Sequence, residues 1–309
     1  MNSSIGPQNK GDQRRFTRRM RCHQSWYRAE VLRVPWGRGL RNRELGNMLT
    51  RKDGAKGLNF LSPQIFEVVK KRMNDPHGTI DHDRLLRNML SSQPMCFNLF
   101  GPMVKDVELT TRLFKLIIPI EFNTVEYVTI EHVLEPASEY LNDKTAFDAF
   151  VELSLPGGRH GFVGIETKLT EPFSQSHREY DDYKEWIEKP DSPWRKESWG
   201  LFSTIRYNQL WRDHLLAVAL KDRKNYEWGF LMLVRHPLDT HCSETKDIYC
   251  QLLKQEDYSF LDLPLDECNV EKIHQVLHDT SQKRWLDEFK RRYLDLSLSE
   301  KACRQSRYP

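Results

Sequence analysis

Residues 145–169, TAFDAFVELSLPGGRHGFVGIETKL, contain two runs rich in aromatic and β-branched residues separated by Pro-Gly-Gly at 156–158. Such runs around a proline-glycine punctuation mark predict a β-hairpin. Side chains alternate along a strand, so Glu166 and Lys168 project from one face at the end of the second run. If the hairpin turns about Gly157, Asp148 falls opposite Glu166, because both lie nine positions from the turn. Opposed residues in an antiparallel pair have β-carbons about 4.5–5.5 Å apart, so two carboxylates would face each other with a lysine beside them. Gly164 is expected to leave open space next to this group.

Two carboxylates so placed repel unless a positive charge lies between them. Magnesium suits the position, because it prefers oxygen ligands and needs only one or two protein carboxylates plus a substrate phosphate. The matching chemistry is phosphodiester hydrolysis by a metal-bound water, with Lys168 holding the nucleophile and offsetting developing charge. The spacing alone does not decide this. An acid-x-lysine string also occurs at Asp182, Asp222, Glu244 and Glu288, and a solvent-facing ladder of Asp, Glu and Lys would look the same. Only the string at Glu166 ends an apolar run with an aspartate one hairpin arm upstream.

Upstream, SPQIFEVVKKRM (62–73) has Ser62 as N-cap and Pro63 at the first helical position, which predicts a helix. Further helices are expected over 80–92 and 101–117, with the apolar QPMCFNLFGP between them as a buried connection. EYVTIEHVL (126–134) reads as a strand. Residues 203–222 read as an amphipathic helix, 226–236 as a strand covered on both faces, and 244–254, 270–278 and 281–294 as helices. This order predicts one α/β domain around a mixed sheet.

Ten arginines lie between Arg14 and Arg43, against three acids in residues 1–45, although the net charge of the chain is only +3. Residues 1–45 are therefore expected to form a basic arm, its first twelve or so residues unanchored, followed by the main domain at 46–300 and a tail at 301–309. Arg14, Arg15, Arg18, Arg19 and Arg21 suit phosphate contacts, and Trp26, Tyr27 and Trp36 suit base stacking or packing on the domain. The six cysteines show no paired-ligand spacing, which argues against a zinc ribbon or a dense disulfide scaffold and for a reducing cytoplasm. No apolar run approaches the roughly 18 residues of a membrane span, and no apolar signal core is evident. P-loop and G-x-S-x-G signatures are missing, which disfavours NTP hydrolysis and serine-hydrolase chemistry. His274 and His278 have zinc-compatible spacing but no third ligand; His77 and His82, beside Asp75, Asp81 and Asp83, read as loop chemistry.

The arrangement of Asp148, a hairpin and Glu166-Thr167-Lys168 resembles the PD-(D/E)XK nuclease superfamily. QSWYRAEVL, LSSQPMCFNLFGP, TAFDAFVEL, GFVGIETKLTE and YNQLWR together resemble a little-characterised bacterial group within it, from about Gln24 to His236. The resemblance implies a restriction-endonuclease-like core, a central mixed sheet flanked by helices with an N-terminal helical extension. It implies Asp148, Glu166 and the Thr167 carbonyl as ligands of Mg²⁺, with Mn²⁺ able to substitute, and Lys168 as the residue serving the nucleophile. Phe147 stands where the family name has proline. An additional acid is expected at Glu131 or, second, at Glu108; either can equally be a surface carboxylate. Gln209 and Arg212, three apart on the following helix, would hold a phosphate or a metal-bound water, or equally form an ordinary polar helix face; Glu171, just past the strand, is placed to support Lys168, although acids at strand ends are commonplace. The implied partner is nucleic acid, foremost DNA, with a homodimer as one arrangement. An inactive relative that binds nucleic acid or protein is the alternative reading.

Overall fold

The computed structural model describes residues 5–77, 80–143, 145–174, 181–202 and 204–305. They divide into two compact units, one comprising 1–106, 169–171 and 267–309, the other 107–168 and 172–266.

The first unit opens with helix α1 (Arg15–Trp26), which runs on as a π-helical turn to Leu32 and stops where Arg33 takes a left-handed conformation. The Pro-Gly-rich segment that follows is more than a break: β1 (Trp36–Arg38) and β2 (Glu44–Leu49) pair antiparallel within it. After α2 (Arg51–Ala55), α3 (Pro63–Met73) begins where expected, the Ser62 hydroxyl accepting the Ile65 N–H at 3.2 Å. The second expected helix is short, α4 (His82–Arg87), capped by Asp81.

The expected buried connection is itself a helix, α5 (Ser92–Lys105), capped by Ser91. Pro94 lies in its first turn, where backbone N–H groups have no intrahelical partner to lose. Pro102 lies inside the helix, where a proline ordinarily counts against one, so the proline content of the segment pointed away from the helix that forms. α6 (Val107–Ile117) follows after a break at Asp106 and belongs to the second unit.

The second unit is built on five strands in the order β3-β4-β5-β6-β7. β3 (Thr124–Val133), β4 (Ala146–Leu155) and β5 (Arg159–Lys168) form an antiparallel meander. The β4–β5 turn uses Gly157 and Gly158 at φ +78° and +73°, which glycine adopts without a Cβ penalty. Its pairs run from Ala149 with Ile165 to Leu155 with Arg159, each symmetric about Gly157.

After β5 come α7 (Asp181–Glu188), α8 (Trp199–Phe202) and the long α9 (Ile205–Lys224), which packs across β4, β5 and β6. β6 (Trp228–Arg235) joins β5 in parallel, α10 (Thr240–Gln251) follows, and β7 (Phe260–Pro264) joins β6 in parallel. The sheet is thus mixed, as expected. β7 was not foreseen because FLDLP is too short and mixed for a strand pattern. β5 is buried from Gly161 to Lys168, so the charges at its end are carried inside. Gly164 does not leave open space: a Cβ there would lie 2.4 Å from the Phe147 ring, which already fills the gap.

The first unit is completed by α11 (Glu267–Gln275), α12 (Thr280–Phe289), running on as a π-helical turn to Leu294, and α13 (Glu300–Gln305). The fully buried Arg292 guanidinium donates to the Asn59 carbonyl at 2.7 Å. Cys22 and Cys303 form a disulfide, a single staple between distant segments that cysteine spacing could not reveal. The expectation of an unanchored start fails at residues 5–12. Ile5 is fully buried against that disulfide, Gln8 donates to the Ser25 hydroxyl at 3.0 Å, and Asp12 pairs with Arg21 at 2.5 Å. One apolar side chain and one ion pair anchor what composition marks as polar.

Candidate active site at the end of the hairpin

The hairpin register sets Asp148 across from Glu166, one step beyond the pair of Ala149 and Ile165. Thr167 is fully buried between the charged residues. Its N–H and hydroxyl both donate to Asp148 Oδ2, at 2.8 and 2.6 Å. The Lys168 ammonium lies 2.7 Å from Glu166 Oε1, with both side chains buried. Gln209, on α9, closes a triangle: its amide nitrogen donates to Glu166 Oε1 at 2.9 Å and its oxygen accepts from Lys168 at 3.2 Å. Gln209 Oε1 also accepts the Ser174 N–H. The ammonium stands 4.9 Å from the centre of the Phe173 ring, within cation–π range. One oxygen of each carboxylate is thereby anchored.

Burial would lower the pKa of Lys168, but the charge and hydrogen bond of Glu166, with Asp148 and Asp213 beyond, push it above its ordinary value. Lys168 is therefore an ammonium at neutral pH. Asp213, on α9, is buried in the same electrostatic neighbourhood. Burial first, then the Glu166 charge, hold its carboxyl well above the usual carboxylate range. The sequence pattern did not mark Asp213, yet it lies four residues beyond Gln209, the spacing of one helical face.

Arg212 pairs with Asp143 at 3.1 Å, and Asp143 also accepts from the Tyr183 hydroxyl at 2.9 Å and the Thr145 N–H at 2.7 Å. Gln209 and Arg212 therefore hold different carboxylates. Asp143, in a turn before β4, carries no sequence signal beyond its being an acid.

Glu131 lies on β3 across from Asp148, between the pairs of Ile130 with Ala149 and His132 with Phe147. Its φ of +57° is uncommon for a non-glycine residue and interrupts the ladder there. Glu108 is exposed on α6 and paired with Arg112 at 2.8 Å. Glu171 accepts from Arg84 at 2.9 Å and from the Ser92 N–H at 3.0 Å, so its carboxylate serves the start of α5 rather than Lys168.

Of the five front arginines, Arg21 pairs with Asp12 and donates to Asn47 Oδ1 at 2.7 Å, while Arg19 donates to the Leu296 carbonyl and the Ser299 hydroxyl. Arg18 donates to the carbonyls of Asp12 and Gln13, both at 3.2 Å. Arg14 is half-buried and Arg15 exposed. The expected phosphate-binding row is thus largely spent on holding its own unit together. His77 bonds Asp75 at 2.8 Å in an exposed turn, as loop chemistry requires.

Among the described residues, the group of three metal-type side chains with ligand atoms within 4.8 Å of one another is Glu126, Glu152 and His160, near the turn end of the sheet. His160 lies 3.2 Å from Glu126, and the Tyr226 hydroxyl donates to Glu152 at 2.9 Å. Among the described residues, no helix is long and apolar enough to cross a membrane.

A family model described as the PD-(D/E)XK nuclease superfamily matches residues 10–295, and the chain belongs to that superfamily. The five-stranded mixed sheet with its flanking and N-terminal helices is consistent with that fold. No curated protein and no solved structure matches the chain significantly.

Proposed function

We propose that this member of the PD-(D/E)XK superfamily is a metal-dependent nuclease that hydrolyses phosphodiester bonds in DNA. The observation that carries this reading is the buried trio at the end of the hairpin, with Asp148 across from Glu166 and Lys168 2.7 Å from Glu166. A structural ladder of these residues would face solvent, whereas Glu166 and Lys168 are each only 5% exposed. The donor set suits a hard cation, being carboxylate oxygens.

Asp148 and Glu166 would hold Mg²⁺, or Mn²⁺ in its place, together with the Thr167 carbonyl and, from β3, Glu131. A divalent cation bound there would polarise the scissile phosphate and acidify the attacking water. Lys168, protonated throughout, acts as a donor and a charge rather than as a base: it orients the attacking water and offsets charge developing on the phosphate oxygens. Gln209 keeps Glu166 and Lys168 in register for that task. The reading includes a cytoplasmic location, phosphate contacts from the front arginines, above all the exposed Arg15, and pairing of two copies where both strands of a duplex are cut.

The test is incubation of wild type, Glu166→Ala and Lys168→Ala with plasmid, linear and single-stranded DNA and with RNA, in Mg²⁺ or Mn²⁺. Wild type alone should cleave, DNA in preference to RNA. Equal activity in all three proteins overturns the assignment. Salt-sensitive binding without cleavage of any substrate favours a nucleic-acid-binding relative instead.

A further inference from the structure

We propose that Glu126, Glu152 and His160 form a separate cation site, for Zn²⁺ or a similar divalent transition metal, at the turn end of the sheet. The site does not depend on the nuclease reading: Glu152 lies four residues along β4 from Asp148, about 13 Å of extended strand. Glu126 comes from β3, Glu152 from β4 and His160 from β5, and their ligand atoms all lie within 4.8 Å of one another. The strand register brings them together. It slips between Val125, opposite Leu153, and Tyr127, opposite Glu152, so Glu126 is an extra residue in β3. A bulge of this kind re-aims side chains. On β5, His160 lies two residues from Phe162, the partner of Glu152, and so shares the face of Glu152.

His160 Nδ1 lies 3.2 Å from Glu126 Oε2 and 3.9 Å from Glu152 Oε1. A tetrahedral zinc with bonds of about 2.0–2.1 Å sets neighbouring ligand atoms about 3.4 Å apart, so these two distances straddle what the ion needs. The charges leave a place for it. Among the described residues neither glutamate is paired with a lysine or an arginine, and His160 is the one basic group beside both. Glu152 instead accepts from the Tyr226 hydroxyl at 2.9 Å. Burial, then hydrogen bonds to Glu152, hold the Tyr127 and Tyr226 hydroxyls above the ordinary tyrosine range, so both stay neutral donors. Neutral donors orient a carboxylate without cancelling its charge, as partners behind a metal ligand do. An imidazole beside carboxylates favours a transition metal over Mg²⁺, and three protein ligands leave a fourth position for water. Glu126 and His160 are exposed and Glu152 half-buried, so an ion can enter from solvent.

The test follows the ring signals of His160 by NMR, assigned by their loss in His160→Gln, as the full chain is titrated at neutral pH with ZnCl₂ or, separately, MgCl₂. Zn²⁺ should move these signals saturably at sub-millimolar concentration and raise Tm, while Mg²⁺ at the same concentration should leave them in place. Glu126→Gln and Glu152→Gln should each weaken Zn²⁺ binding by more than about tenfold, and Tyr226→Phe by about tenfold. Glu227→Gln removes an exposed carboxylate beside His160 that is paired with Arg159, and should leave the affinity unchanged. Unmoved His160 signals in wild type at millimolar Zn²⁺ overturn the proposal and leave a protonated imidazole bridging two glutamates. Wild-type affinity in Glu126→Gln or Glu152→Gln overturns it as well. So does an equal loss in Glu227→Gln, which marks general attraction to a negative surface. None of these outcomes bears on cleavage at Asp148 and Glu166, which Glu126→Gln should leave intact.

Discussion

Asp148 and Thr167 are joined by two hydrogen bonds, the Asp148 Oδ2 accepting from the Thr167 N–H at 2.8 Å and from its hydroxyl at 2.6 Å. The residue between Glu166 and Lys168 therefore orients the carboxylate on the neighbouring strand. Thr167→Val keeps the shape and the N–H bond but deletes the hydroxyl donor. It should cost about 1.5–3 kcal/mol in urea unfolding. Any Mg²⁺-dependent cleavage should fall by about 10- to 100-fold. Unchanged values in both assays would show that the hydroxyl does not orient Asp148.

Glu166 and Lys168 form a buried pair, so breaking it from one side leaves an uncompensated charge. Lys168→Met should destabilise the protein by about 3–5 kcal/mol. The double variant Glu166→Gln, Lys168→Met should recover much of that loss while cleavage stays abolished. A double-mutant cycle in denaturant checks this, and additive single effects would contradict a coupled pair.

Gly164 is required by a close approach, because a Cβ would lie 2.4 Å from Phe147 Cε1. Gly164→Ala should cost about 1–3 kcal/mol through overpacking. Adding Phe147→Leu should return part of it, as measured by the shift in urea midpoint. Since Phe147 immediately precedes Asp148, the single variant should also lose activity.

His23 and His214 are buried and neutral, each held down to about 4 by burial. The unfolded chain binds protons from its ordinary histidine value near 6.5 downward, before the folded state does. Their contribution to stability is therefore full above that value and is lost as pH falls towards 4. Asp213, raised instead, acts in the opposite sense over acidic pH. Stability measured in urea between pH 7 and 4.5 should fall less steeply for His23→Gln and for His214→Gln than for wild type. Parallel curves would refute the assignment.

Cys22 and Cys303 should be linked in the purified protein unless a reductant is present. Maleimide labelling under denaturing conditions should reveal two further reactive thiols after reduction. Reduction should lower stability by about 2–4 kcal/mol, since the link closes a long loop. Labelling of both thiols without reductant would refute the link.

The local signals in the sequence were sufficient for the hairpin and its register, because alternation and the Gly157-Gly158 turn depend only on neighbouring residues. They also placed Glu166 and Lys168 on one face and set Asp148 opposite, and they located α3, α9 and β6. Other outcomes required packing. Whether QPMCFNLFG forms a helix, whether Ile5 finds a core, and whether β7 joins the sheet depend on partners far along the chain. The arginines of α1 read as a phosphate-binding row until Asp12, Leu296 and Ser299 are brought beside them. The same holds at the site. A helix pattern shows that Gln209 and Asp213 share a face, but only folding brings that face to the end of β5, where burial strips water from the charges and makes each unsatisfied oxygen costly.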